Sequence, residues 1–160
     1  MKITSIGEKT TLYLPQTTEE VTIDFANPDK GVTVQYGPAP TKAAGEKPAA
    51  VNIVTNDITK FTVTGISNVV WLVGNQAALA NALTNATNTQ VVALANDITL
   101  SGEWTPVTSS NNGEGHYYGT FDGRNHVISD LKITNYTGTY AGFFTTMSGA
   151  TIKNVTFKNA

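Results

Sequence analysis

The sequence predicts an all-β chain, a right-handed parallel β-helix carrying one short helix near residues 75–86. Three observations carry that prediction. Segments of strand length, with β-branched or aromatic residues at alternate positions, recur along the whole chain. A single segment has helical spacing instead. The chain also repeats itself: HVISDLKITN (His126 to Asn135) lays over ATIKNVTFKN (Ala150 to Asn159) at an offset of 24 residues. Ile128 then falls on Ile152, Leu131 on Val155, Ile133 on Phe157, Asp130 on Asn154 and Asn135 on Asn159. The apolar-x-x-apolar-x-apolar pattern returns as Ile58, Phe61, Val63 and as Ile66, Val69, Trp71. A period in the twenties marks a solenoid. A solenoid of strands stacks its rungs in parallel about 4.8 Å apart, with right-handed connections.

Taken in order, strands are expected at Thr11–Leu14, Val21–Phe25, Val32–Tyr36, Val51–Val54, Phe61–Val63, Val69–Val73, Val91–Leu94, Ile98–Leu100, Val127–Ile133 and Ile152–Phe157. The exception, NQAALANALTNA (Asn75 to Ala86), places Leu79, Leu83 and Ala86 at helical spacing behind an N-cap, Asn75. That predicts a helix of roughly three turns, covering a core edge with its alanine-rich face. GPAPTKAAGEKP (Gly37 to Pro48) and Ser101 to Gly119 read as long loops. The chain is expected to be a single β-helix domain over 1–160, with a sub-boundary near 70–75. The alternative is a small β-sandwich over residues 1–70 ahead of a β-helix segment.

Composition narrows the function. Charged residues make up 14% of the chain, against about a quarter in average proteins. With a net charge of -2 and no basic run, nucleic-acid binding is not expected. Cysteine is absent, which removes disulfides, thiolate metal sites and a Cys nucleophile. No apolar run reaches membrane-spanning length, and no export signal is recognisable at Met1–Ser5.

Several motifs resemble a known family. Tyr118-Gly119-Thr120-Phe121-Asp122-Gly123, then His126 to Leu131, then Tyr140-Ala141-Gly142-Phe143-Phe144 and Gly149 to Val155, are similar to GLUG-type repeats of bacterial surface proteins. The strand Val91 to Leu100 resembles the lead-in to such repeats. Those proteins, from gut Bacteroidetes and Gram-positive cell surfaces, have pectate-lyase-like right-handed β-helices. The resemblance covers roughly residues 71–160. It departs at Asn125, where a second turn glycine is common, and at Thr145-Thr146, which replaces a glycine. It implies a secreted or cell-surface, adhesin-like segment.

The cluster Asp122-Gly123-Arg124-Asn125-His126 invites a catalytic reading. Asp-Gly is a tight-turn dipeptide, however, and no nucleophile lies at a fixed offset. Asp122, Gly123 and Asn125 are therefore expected to be turn residues, and Asn135, Asn154 and Asn159 to form corner ladders. Glycoside cleavage needs two carboxylates across a sugar; Asp97, Glu103, Glu114, Asp122 and Asp130 form the pool. Glu103 beside Trp104, and Glu114 beside His116, Tyr117 and Tyr118, are the candidate ligand-binding groups, an acid next to an aromatic being a common way to build a sugar cleft. The competing reading places Trp104 at the end of the core and Tyr118 packed on a coil. No cofactor is expected, and no calcium-loop motif is present.

The expected function is a non-catalytic, adhesin-like segment binding glycans or another surface. The alternatives are a fragment of a β-helix polysaccharide lyase or glycoside hydrolase, and a structural spacer. The repeat is cut after Ala160, so the chain is expected to be an N-terminal or internal fragment of a longer protein whose last coil either frays or pairs end to end with a neighbouring molecule.

Overall fold

The computed structural model describes residues 10–14, 20–25, 31–36, 49–110 and 115–160. Glu114 and the Gly37 to Pro48 loop lie outside them. The described chain is mostly β, with parallel strands in two sheets and one short helix. Its elements are β1 (Thr10–Leu14), β2 (Val21–Asp24), β3 (Val32–Tyr36), β4 (Val51–Val54), β5 (Phe61–Thr64), β6 (Val69–Val73), α1 (Gln76–Asn85), β7 (Val91–Leu94), β8 (Ile98–Thr99), β9 (Thr120–Ser129) and β10 (Thr151–Lys158). A 3-10 turn at Ile58–Lys60 precedes β5, capped by the Asp57 side chain.

Consecutive strands alternate between sheets from β1 to β6. β1, β3 and β5 form one sheet; β2, β4, β6, β7, β9 and β10 follow one another across the other, with β8 also on β9. Every pairing between named strands is parallel. The sandwich alternative for residues 1–70 therefore does not hold. A small sandwich of that kind is antiparallel, whereas β2 and β4 continue the same sheet as β7 and β9. That sheet continues through β6, which pairs with β4 on one side and β7 on the other.

Side-chain alternation sorts the long sheet into columns. Ile23, Ile53, Trp71, Val92, Phe121 and Ile152 form one column, facing the core. The next column lies on the opposite face of the sheet: Asp24, Val54, Leu72, Ala93, Asp122 and Lys153, with Leu72 and Ala93 buried in a second, smaller apolar cluster beside Val70. Leu14, Val32 and Val34 of the smaller sheet enter the same core, so the apolar interior lies between the sheets. Helix α1 adds Ala78, Leu79, Ala82 and Leu83, all fully buried. Asn75 caps it as its sequence position predicts, its side chain accepting from the Ala78 N–H at 2.9 Å.

The 24-residue register does not hold. Ile128 lies between Ile98 and Phe157, and Ile152 pairs with Phe121. Leu131 and Ile133 fall outside any strand, while β9 begins at Thr120, well before the expected Val127. The reason is conformational. Asp130 (φ 62) and Asn154 (φ 54) both adopt the left-handed region, so Ile128-x-Asp130-Leu131 and Ile152-x-Asn154-Val155 are the same kind of corner. Local sequence likeness therefore marks two left-handed bends and not two strand segments paired with each other. The stacked partners are Asp122 with Asn154, 32 residues apart, and Asp130 with Asn159, 29 residues apart. Between them β9 spends two more residues than β10: Asp122 pairs with Lys153, but the next pair is His126 with Val155. Arg124 (φ 48) and Asn125 (φ 65) absorb the difference, and Asn tolerates that region better than most residues.

Burial of the six repeat residues divides along the same line. Ile128 is fully buried, while Leu131, Ile133, Ile152 and Val155 are half-buried and Phe157 is 37% exposed. β10 is the terminal strand, so nothing in the described chain covers its far edge.

Candidate functional site

Residues Glu103–Thr105 form a wall between two clefts. One, of about 440 Å³, separates it from Gln76, Ala77 and Ala80 of α1, with Ser101 also lining it. The other, of about 130 Å³, runs between the wall, Pro106, Asn135 and Tyr136. A third cleft of about 310 Å³ lies apart, against Trp71, Gln90 and Ile58.

Glu103 is the acidic group the first two clefts share. Its carboxylate accepts from the Thr134 N–H at 2.7 Å and the Thr134 hydroxyl at 2.6 Å, with Lys132 Nζ at 3.5 Å. The Thr134 hydroxyl and N–H hold this carboxyl below its ordinary range, with Lys132 adding to the effect. Gln76 is also engaged, accepting from the Ser101 N–H at 2.9 Å.

Trp104 is buried and turned inward. Its ring stacks on Phe143 at 4.5 Å and 5°, and Nε1–H donates to the Phe143 carbonyl at 3.0 Å. Tyr117 is buried too, stacked on Phe144 at 4.4 Å, and burial pushes its phenol up. Neither ring offers an open face. His116 and Tyr118 stay half-exposed, their rings edge-on at 6.1 Å, with His116 Nδ1 3.0 Å from the Thr146 hydroxyl. The structure thus keeps His116 and Tyr118 together and directs Trp104 and Tyr117 into the core. Glu103 stands beside the Thr134 loop. Glu114 is outside the described residues.

The Asp122-Arg124-His126 cluster disperses. Asp122 Oδ1 accepts from the Arg124 N–H at 2.9 Å and the Asn154 amide at 3.1 Å, and Lys153 Nζ lies 3.7 Å from Oδ2. Burial pushes this carboxyl up, but those donors and the nearby cations outweigh it and hold it below its usual value. The Arg124 guanidinium instead crosses to β4 and donates to buried Asn52 at 3.1 Å. Asn52 in turn donates to Glu20 at 3.2 Å. His126 turns to Asp97, whose Oδ1 is 3.1 Å from Nδ1 and also accepts the Val127 N–H at 2.9 Å. Three adjacent side chains thus serve three separate neighbours.

Gly123 has its own role. A Cβ there would lie 2.4 Å from the Asn154 carbonyl and 2.6 Å from Val155 Cα. Asn154 and Asn159 donate to Asp122 and Asp130 at 3.1 Å each, and Asn135 lines the smaller cleft.

Sequence reasoning missed Gln76, Ser101 and Thr105 as cleft residues and Asn52 as the Arg124 partner. No local motif marks them, because each meets its neighbours from a distant part of the sequence. Among the described residues no three carboxylate or imidazole groups converge as a metal site requires, and no helix is long and apolar enough to cross a membrane. The chain matches no family model, no curated protein and no solved structure.

Proposed function

We propose that this chain is a stretch of right-handed parallel β-helix of the GLUG-repeat kind, serving as a non-catalytic segment of a secreted or cell-surface bacterial protein. Parallel pairing throughout, alternation between sheets from β1 to β6, and corner side chains donating one winding back all support the solenoid reading.

The observation that carries the functional reading is how the carboxylates are used. Asp97, Glu103 and Asp122 each accept a backbone N–H, from Val127, Thr134 and Arg124 respectively. Each is thereby held below its ordinary range. A glycosidase acid works in the opposite direction, its carboxyl raised so that it carries a proton near neutrality. These groups are built to stay ionised and hold corners. What remains open to a ligand is neutral and polar: the rims of the clefts beside Glu103, with Ser101, Thr105, Asn135 and the Tyr136 ring. Such a surface suits weak hydroxyl-to-hydroxyl contact with a glycan.

The test pairs a glycan array with a polysaccharide-degradation assay on the isolated chain. Binding without cleavage, weakened by Thr105→Ala with Asn135→Ala, is the expected result. Cleavage abolished by a Glu103 or Asp122 substitution, with the fold intact, would overturn the reading. Absence of any binding would leave the chain a spacer.

A further inference from the structure

The third cleft, of about 310 Å³, takes no part in the arrangement beside Glu103. Buried Ile58 and Trp71, with half-buried Phe61, supply its apolar wall. Gln90 and Asn85 bring carboxamides to it, Thr59 and Thr87 bring hydroxyls, and no lining residue carries a charge. Its volume is near the lower end of small-molecule sites, about 300–1,000 Å³. That suits one sugar-sized ring and its substituent better than a length of polymer.

The Gln90 amide is held in one orientation. Its Oε1 accepts from the Trp71 Nε1–H at 2.9 Å and from the Thr87 N–H at 3.0 Å, while the Gln90 backbone N–H donates to the Thr87 carbonyl at 3.1 Å. A flipped carboxamide would set its NH2 against two donors, so the network decides which end is which. The NH2 group is then left with two donor hydrogens and no acceptor among the described residues. Asn85 is the complement. It is the last residue of α1, and its Nδ2 donates to the Asn81 carbonyl at 2.8 Å, which leaves Oδ1 as an unused acceptor. One cleft thus combines an oriented donor, an oriented acceptor and an apolar wall.

An acetamido group uses all three. Its carbonyl accepts from the Gln90 NH2, its N–H donates to Asn85 Oδ1, and its methyl packs on Phe61. A charged ligand fits poorly, because nothing in the lining would pair with the charge that burial strips of water. The two threonine hydroxyls suit the hydroxyls of a sugar ring. We propose that this cleft binds the acetamido group of an N-acetylated amino sugar. The cleft is separate from those beside Glu103, so the inference goes beyond the glycan-binding reading and does not rest on it.

Two-dimensional amide NMR of the isotope-labelled chain, titrated with the methyl glycoside of N-acetylglucosamine, tests it. The Gln90 side-chain NH2 and Trp71 indole N–H signals should move together and saturate, while Ser101 and Thr105 report on the other clefts. The methyl glycosides of glucose and glucosamine, which lack the acetyl group, should bind about tenfold or more weakly. Gln90→Glu keeps an acceptor for Trp71 and Thr87 and removes only the donor, so it should stay folded and lose about tenfold or more in affinity. Circular dichroism checks the fold, and the comparison of sugars decides the question without any variant. Glucose binding as well as the N-acetylated sugar, a folded Gln90→Glu with unchanged affinity, tighter binding of free N-acetyl-lysine, or no shift at Gln90 and Trp71 would each overturn the proposal. Shifts at Ser101 and Thr105 alone would do so while leaving the glycan-binding reading in place, so the two fail separately.

Discussion

Gly123→Ala is the smallest change that should pull the last two strands apart. The new methyl carbon would stand 2.4 Å from the Asn154 carbonyl oxygen and 2.6 Å from Val155 Cα and Cβ. Contacts to Cβ are essentially never shorter than 3.0 Å, so one side must retreat by half an ångström or more. Neither can do so cheaply. Asn154 is already in the left-handed region at φ 54, tied to Asp122 through its amide, and Val155 is paired with His126. Overpacking typically costs about 1–3 kcal/mol, and a clash against backbone on both sides belongs at the upper end. For a chain of this length each kcal/mol lowers the melting temperature by roughly 2–4 °C, so a loss of roughly 6–12 °C is expected. Gly149→Ala is the control. Gly149 sits at φ 65 with nothing within 4 Å of a Cβ, so its cost is the left-handed conformation alone, about 1–2 kcal/mol. Thermal melts followed by circular dichroism compare the two. If Gly123→Ala costs no more than Gly149→Ala, the close approach of β10 to this corner is not what the structure describes.

Three further outcomes can be measured on the same chain. Trp104→Phe should cost about 1 kcal/mol in urea denaturation, one hydrogen bond, since the Phe143 carbonyl keeps its bond from the Val107 N–H; Trp104→Ala should cost about 3–5 kcal/mol through the lost stack on Phe143. An equal cost for the two would mean that packing does not hold this ring. Ile128→Ala, at a fully buried site between Ile98 and Phe157, should cost about 2–5 kcal/mol, and Ile152→Ala clearly less because β10 is terminal; the reverse order would place the edge of the sheet elsewhere. Asp57, Asp97, Glu103 and Asp122 are all held below their ordinary values, so their contribution is complete above about pH 4.5 and is lost as pH falls through the depressed values. The urea midpoint should therefore be flat from neutrality down to about pH 5 and fall below about pH 4, with a shallower fall in Asp122→Asn; a midpoint that rises in acid would contradict the role given to these groups.

How much of this was legible beforehand depended on the range of the cause. Strand existence was legible, because alternation is written in consecutive residues: β3, β4, β6 and β7 match their expected bounds residue for residue. Helix α1 was legible for the same reason, down to the Asn75 cap. Register was not. Corners repeat locally as apolar-x-Asx-apolar, and nothing in such a motif says how many residues separate it from the corner it stacks on. Observed partners sit 29 and 32 residues apart at β10, while β4 meets β6 much sooner, Val51 facing Val69. Pairings so unevenly spaced cannot be recovered from a fixed period. The candidate site suffered from the same gap. Trp104 next to Glu103 looks like a sugar platform in one dimension, and only the arrival of Phe143 from 39 residues downstream turns the ring inward.

The chain's scarcity of charge takes on a meaning in this arrangement. Backbone N–H groups that strand pairing leaves over need other acceptors. Asp57, Asp97, Glu103 and Asp122 meet that need for Thr59, Val127, Thr134 and Arg124. With 12 acidic residues in all, a third of the supply is committed to holding bends. A carboxylate so engaged cannot also swing toward a substrate, and protonating it to make a general acid would release the corner it holds. These bonds therefore work against acid–base catalysis at the same residues. On the glycan-binding proposal, recognition then falls to the hydroxyl and amide groups on the cleft rims.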